Sequence, residues 1–327
     1  MKFKNDNNMK LLEVKNLNIG FNFLDGFRQA IHDVSFDLEK GETLAIVGES
    51  GSGKTLSAMA IINLLPENSV LKSGEVFYNN KDLLKMPKAQ IQKIRGKKIA
   101  LIPQDPMTSL NPLYTIGNQL LEVIEIHQGV KGKEAEEIAA KALEQVKIPD
   151  AREKLKAYPH EFSGGMKQRV IIAMALACNA EIIIADEPTT ALDVTVQAQI
   201  MEILRDIKKN SNISIILITH DMGVVAQNAD KIAVMYAGRI VEFATRKNLF
   251  NNPKHPYTQA LLNVILDINS KNIETIGGQP PSIMDDITGC PFYPRCPKGF
   301  EICPVATPDL KGLADGSKVA CYLYREC

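Results

Sequence analysis

Eight residues, GESGSGKT at 48–55, place three glycines, a lysine and a threonine at a spacing that can hold phosphate. Gly48, Gly51 and Gly53 let the backbone turn tightly, so that successive N–H groups from Ser50, Ser52 and Leu56 as well face the β- and γ-phosphates of a nucleotide. Lys54 supplies a positive charge, and the Thr55 hydroxyl is a ligand for Mg²⁺. A second set follows at 181–193, EIIIADEPTTALD. Asp186 closes an apolar run, where a carboxylate is costly to bury unless it meets a cation, and it fits a Mg²⁺ partner. Glu187 comes next and is placed to orient and deprotonate an attacking water.

Two more polar residues end apolar runs: Gln104 after KKIALIP and His220 after ISIILIT. The strand ends on one side of a parallel sheet converge where ligands bind in open α/β folds. That geometry takes Gln104 to metal or nucleophilic water and His220 to the γ-phosphate. A site with a base and a donor of this kind hydrolyses its nucleotide. A third device, EFSGGMKQRVIIAMALA at 161–177, sets a serine and two glycines before a strong helix. The Ser163 hydroxyl, exposed N–H groups and the helix dipole form a second anion site. If the two cannot reach one phosphate within a chain, the second serves a nucleotide held by a neighbour, in a head-to-tail dimer.

The elements needed to position these groups are visible. LLEVKNLNI and AIHDVSFDL read as strands, EKGE as a turn, and TLAIV as a buried strand running into the glycine loop. LSAMAIINLL has helical periodicity, which completes strand, loop and helix. EIIIAD and ISIILIT are apolar on both faces, as central parallel strands are, and TVQAQIMEILRDIKKN between them is a helix. Residues 106–178 read as a helical region, in which GKEAEEIAAKALEQVKI is amphipathic. KIAVMYAGRIVEFA is a hairpin about Ala237-Gly238. Composition then shifts toward proline and cysteine, giving an expected division into 1–255 and a loop-rich, cysteine-containing segment at 256–327.

Lysine plus arginine and aspartate plus glutamate number 38 each in 327 residues, so no global charge calls for nucleic acid or an anionic membrane. No apolar run approaches the roughly 18 residues of a membrane span, and no apolar stretch follows the basic N-terminus as in a signal peptide. The expectation is a cytoplasmic chain that meets a membrane only through partners.

With these parts in order, residues 11–250 resemble the ATP-binding-cassette (ABC) ATPases. The resemblance implies an α/β P-loop NTPase fold: an ABC-type nucleotide-binding domain with a β-subdomain, an inserted helical subdomain at about 106–178, and a small C-terminal domain. It gives Gln104 as the Q-loop residue, Ser163, Gly164, Gly165 and Met166 as the signature facing the partner's ATP, Asp193 as the D-loop residue and His220 as the switch. Thr55, Gln104 and Asp186 are then the Mg²⁺ residues. Met166 stands where the family pattern has glutamine, as in several peptide-importer ATPases. The family stacks adenine on an upstream aromatic. Phe21, Phe23 and Phe27 all qualify, and Phe27 is the choice carried forward.

The tail is similar to that of the oligopeptide/dipeptide importer ATPases, on NPKHPYTQALL, GGQPPS, GCPFYPRCPKGFEICPVATP and VACYL. The resemblance implies ATP hydrolysis powering peptide uptake at the cytoplasmic face of the cell membrane. Its partners are a second ABC ATPase subunit (a heterodimer, or a homodimer in isolation), two permease subunits and an extracytoplasmic solute-binding protein. DPMTSLNPLYTIGNQL lies where family members receive the permease's coupling helix, with Leu110, Leu113, Tyr114 and Ile116 as its apolar face. Rival readings are an importer of nickel or another small solute, and a soluble ABC ATPase acting on nucleic acid or ribosomes. Zero net charge and a single uninterrupted cassette weigh against the latter.

Cys290, Cys296, Cys303 and Cys321 are separated by five, six and seventeen residues, and three of them precede proline. The spacing is neither a structural zinc pairing nor a standard ferredoxin run. Four thiolates in a loop-rich segment suit a [4Fe–4S] cluster, a tetrahedral Zn²⁺, or free thiols. The subfamily resemblance implies the iron–sulfur cluster. Cys327 is the spare, and Cys178 reads as a small buried hydrophobe.

Overall fold

The structure is a computed structural model that describes residues 10–190, 192–266 and 276–324. Two compact units divide the chain, one formed by 1–85 with 219–327 and the other by 86–218.

In the first unit Lys10–Phe23 and Gly26–Glu39 form a long antiparallel pair, and Ser69–Tyr78 flanks the former. Leu12, Val14, Leu17 and Ile19 are buried on one strand, Ile31, Val34, Phe36 and Leu38 on the next, an alternation broken by register shifts between Val14 and Leu17 and between Leu17 and Ile19. Thr43–Val47 is buried along its whole length and runs parallel to Lys231–Tyr236. The latter turns at Ala237 (φ 47°) and Gly238 (φ 72°) into antiparallel Arg239–Thr245. Two left-handed residues in succession give the hairpin turn whose twist matches its strands.

The tail joins this same unit. Lys318–Val319 pairs with Arg239–Thr245 at Phe243 and Glu242, and Lys311–Gly312 pairs with Lys318–Val319 in turn. Tyr236, Tyr257 and Phe292 pack ring against ring, with centroids 4.7–5.4 Å apart, in the core that also holds Ala45 and Val47. Glu242 is fully buried, and its carboxylate accepts the N–H groups of Lys254 and His255 at 2.9 and 2.8 Å. Those amides open the helix Pro256–Leu266, whose proline leaves one fewer donor to satisfy. Burial pushes the Glu242 carboxyl up, against the two amide donors. Burial likewise depresses the His255 imidazole to about 3, and its Nδ1 accepts the Tyr257 N–H at 3.1 Å.

The second unit holds Ile99–Ile102, Ile182–Asp186 and Ser214–Thr219 as parallel strands, with Val194–Ser211 as the crossover helix of a βαβ step. Its helical part comprises Ile116–Gln128, Gly132–Gln145 and Gly164–Ala177 with shorter turns. Ala135, Ala139, Ala140, Ala142 and Leu143 form the buried stripe of the middle helix, and small side chains there allow close helix packing. Among the described residues, no helix is long and apolar enough to cross a membrane.

Candidate functional site: a phosphate loop and a hydrolytic strand end

The glycine loop leaves Thr43–Val47 and enters the helix Lys54–Ile61. Gly48 (φ 154°) is required by space as well as conformation: a Cβ there would lie 2.2 Å from the Met235 carbonyl oxygen. The hairpin after Met235 backs the loop, with the Gly238 N–H donating to Ser52 O at 3.0 Å. Lys54 is 5% exposed, and its Nζ donates to Gly48 O and Glu49 O at 2.8 and 2.9 Å, curling over the loop. Gly53 is left-handed at the helix N-cap, no side chain caps that end and no acid sits in the first turn. The helix therefore presents backbone N–H groups and a positive dipole end to an anion. Ser52 is buried with its hydroxyl unpartnered, while Ser50, Gly51, Thr55 and Leu56 complete the turn and the first helical residues.

In the second unit Asp186, 4% exposed, ends its strand, and Glu187 follows with φ 44°. A left-handed non-glycine costs roughly 1–2 kcal/mol, and strain of this kind collects at functional positions. The surroundings hold it: Glu187 N–H donates to Ile218 O at 2.9 Å and the Thr190 N–H to Glu187 O at 3.1 Å. The carboxylate accepts from Gln104 Nε2 at 3.0 Å and Thr190 Oγ1 at 2.8 Å. Gln104 and Glu187, 83 positions apart, thus meet at the ends of neighbouring parallel strands. Thr190 was not visible as part of the site; a threonine three residues on has no signal until the turn folds back.

Ser163 caps the helix Gly164–Ala177, its Oγ accepting the Met166 N–H at 3.3 Å. A Cβ at Gly165 would meet Val196 Cγ1 at 2.5 Å, so that glycine lets two helices approach. Asp193 caps Val194–Ser211 through the Val196 N–H at 2.9 Å. His220 is exposed beyond Ser214–Thr219, before Asp221, which caps Met222–Asn228. Phe21, Phe23 and Phe27 share one hairpin; Phe27 is 39% exposed, its ring rests on Gly20, and Lys72 Nζ lies 5.7 Å from its centroid. Leu113 and Tyr114 are exposed as a docking face needs, but Leu110 and Ile116 are core residues at 3% and 0% exposure, because the following helix turns them inward.

Cys290, Cys296, Cys303 and Cys321 line one cavity with His255 and Phe292, and the Cys290 N–H donates to Cys303 O at 2.7 Å. Burial pushes the Cys290 thiol up to about 11 and raises Cys296 and Cys321 in the same direction. Among the described residues, no set of three His, Cys, Asp or Glu side chains is arranged to hold a metal ion. Cys327 lies outside the described residues. Cys178 is buried, with Sγ donating to Met174 O at 3.2 Å and a thiol pushed up to about 11 by burial, as a small hydrophobe in a helix would be.

A glycine loop between a buried strand and an uncapped helix defines a P-loop nucleoside triphosphatase. The family model "ABC transporter" matches residues 31–190, and "Oligopeptide/dipeptide transporter, C-terminal region" matches 241–303. The dipeptide transport ATP-binding protein DppD of Bacillus subtilis is 48% identical over 96% of this chain and 95% of its own length. The oligopeptide transport ATP-binding protein OppD of Salmonella typhimurium is 49% identical over 95% and 93%. The dimeric post-hydrolysis structure of the ATP-binding cassette MJ0796 bound to ADP and Pi is 28% identical, covers 72% of this chain and 98% of its own, and superposes with a TM-score of 0.64. The chain belongs to the ABC transporter family, among its oligopeptide/dipeptide ATP-binding subunits.

Proposed function

We propose that this chain is the ATP-hydrolysing subunit of an importer of di- and oligopeptides, peripheral at the cytoplasmic face of the membrane. The observation that carries the cargo is the match of residues 241–303 to the oligopeptide/dipeptide C-terminal region, beyond what a generic cassette contains. Two permease subunits, a second ATPase subunit and an extracytoplasmic solute-binding protein complete the machine. Exposed Leu113, Tyr114 and Met107 support a permease-facing surface.

The residues divide the work as follows. Gly48, Ser50, Gly51, Ser52, Gly53, Lys54, Thr55 and Leu56 bind the β- and γ-phosphates, and Phe27 packs the base. Mg²⁺ neutralises phosphate charge when bound, and Thr55, Gln104 and Asp186 are the side chains that would hold it. Glu187 takes a proton from water as the oxygen attacks the γ-phosphorus in line and ADP leaves; His220 donates to the transferred group. Ser163, Gly164, Gly165, Met166 and Asp193 serve the ATP of the partner subunit. Cells lacking this chain should fail to accumulate a labelled tripeptide, and the restored gene should return uptake. Unchanged peptide uptake with lost nickel uptake would move the cargo to the metal.

We further propose that the four tail thiols hold a [4Fe–4S] cluster, with residues 256–327 as its domain. Four cysteines on one cavity support this. The alternative occupant of the same four sulfurs is a single tetrahedral Zn²⁺. Protein purified without oxygen should be brown and carry about four irons and four sulfides per chain, with Cys303→Ser bleaching the colour. One zinc in a colourless protein would replace the cluster with a structural ion.

A further inference from the structure

Glu49, the second residue of the phosphate loop, is gripped from three directions. Its N–H donates to Tyr257 Oη at 2.9 Å, and its carbonyl accepts from Lys54 Nζ at 2.9 Å. Its carboxylate is held in a fork by Arg295, with Nη1 to Oε2 at 2.7 Å and Nη2 to Oε1 at 2.9 Å. Tyr257 and Arg295 lie 208 and 246 positions from Glu49, in the C-terminal segment, and Arg295 stands next to Cys296.

The arginine has no freedom left. Its Nε donates to Gly277 O at 2.9 Å, Nη1 also to Tyr236 Oη at 3.2 Å, and Nη2 also to Ile276 O at 3.4 Å. Those bonds use all five donors of a guanidinium. The Arg295 side chain is 5% exposed and that of Glu49 27%, so water screens the pair little. A forked, charge-assisted pair fixes orientation as well as position.

Two physical consequences follow for the loop. Glu49 is an anion in a loop built for anions, and unpaired it would repel the phosphates. Glu49 is also the residue whose carbonyl anchors Lys54, so its placement sets where the ammonium sits. We propose that Arg295 is a positioning residue for ATP: it cancels the Glu49 charge and locks the loop, with Tyr257 fixing the backbone at the same point. The cysteine-bearing segment is thereby a working part of the nucleotide site. This rests on the reading that GESGSGKT binds the phosphates of ATP.

The test uses the purified full chain and MgATP, measuring KM, kcat and thermal midpoint for R295Q, E49Q and the double variant. R295Q should raise KM about tenfold with kcat within about twofold. The double variant, with no bare carboxylate, should recover most of that loss. An unchanged KM in R295Q overturns the proposal, as does a fall in kcat and melting temperature with KM unmoved. A double variant as weak as R295Q overturns the charge argument. Should R295Q fail to fold, Tyr257→Phe removes one hydroxyl and should raise KM about threefold; no change there also overturns it. Wild type serves as the separate control: if Lys54→Ala leaves its ATP turnover unaltered, the phosphate-loop reading itself fails.

Discussion

Replacing Glu187 with glutamine lowers ATP turnover by about a hundredfold to ten-thousandfold, the usual contribution of a positioned base, while ATP binding survives. The substitution isolates chemistry because it keeps shape. An amide oxygen at the same place still accepts from Gln104 and Thr190, whose bonds to the carboxylate are 3.0 and 2.8 Å. Main-chain bonds to Ile218 and Thr190 are untouched, so the left-handed backbone at 187 persists. What disappears is the negative charge that the proposed role assigns to drawing the proton from water. Phosphate release at saturating MgATP, paired with equilibrium ATP binding, measures the two quantities separately. Turnover within tenfold of wild type would remove Glu187 from the role of base.

Gly48→Ala abolishes ATP binding at millimolar nucleotide and costs about 2–4 kcal/mol of stability, from backbone strain added to overpacking. The added methyl meets the Met235 carbonyl at 2.2 Å and Ser52 Oγ at 2.8 Å. Met235 belongs to a strand paired with Thr43–Val47, so its carbonyl cannot retreat without breaking the sheet. The loop must give way instead. Gly51→Ala is the matched comparison: its φ is 77°, yet nothing lies within 4 Å of a Cβ there. It bears only the left-handed penalty, about 1 kcal/mol. Calorimetric titration with ATP and urea midpoints for both variants decide the matter; equal behaviour of the two would refute the steric account.

What could be read beforehand follows the range of the interactions. Buried strands such as TLAIV and EIIIAD announce themselves by composition, and the loop between strand and helix by its glycines. The hairpin at Ala237-Gly238 and the amphipathic helix Gly132–Gln145 are likewise local patterns. The grip on Glu49 is not local. A glutamate and an arginine 246 positions apart share no period, and only the folded sheet brings them together. Lys318–Val319 is too short to show strand alternation, so its pairing with Arg239–Thr245 could not be foreseen. Thr190 was hidden for a smaller reason: its hydroxyl reaches Glu187 only through the turn at φ 44°. Leu110 and Ile116 misled because apolar character alone does not separate a docking face from a core.

The pairing of Lys318–Val319 with Glu242 and Phe243 matters to anyone who would exchange parts between related proteins. A cut at 255 severs one sheet and parts the loop glutamate from the arginine that neutralises it. A front half grafted onto a tail that lacks this arginine arrives with an orphan acid. Glu49 and Arg295 both belong to the unit formed by 1–85 with 219–327, so they are inherited together only when both stretches come from one parent. Libraries that draw Glu49 and Arg295 from the same parent should yield more folded members than libraries split at the composition change.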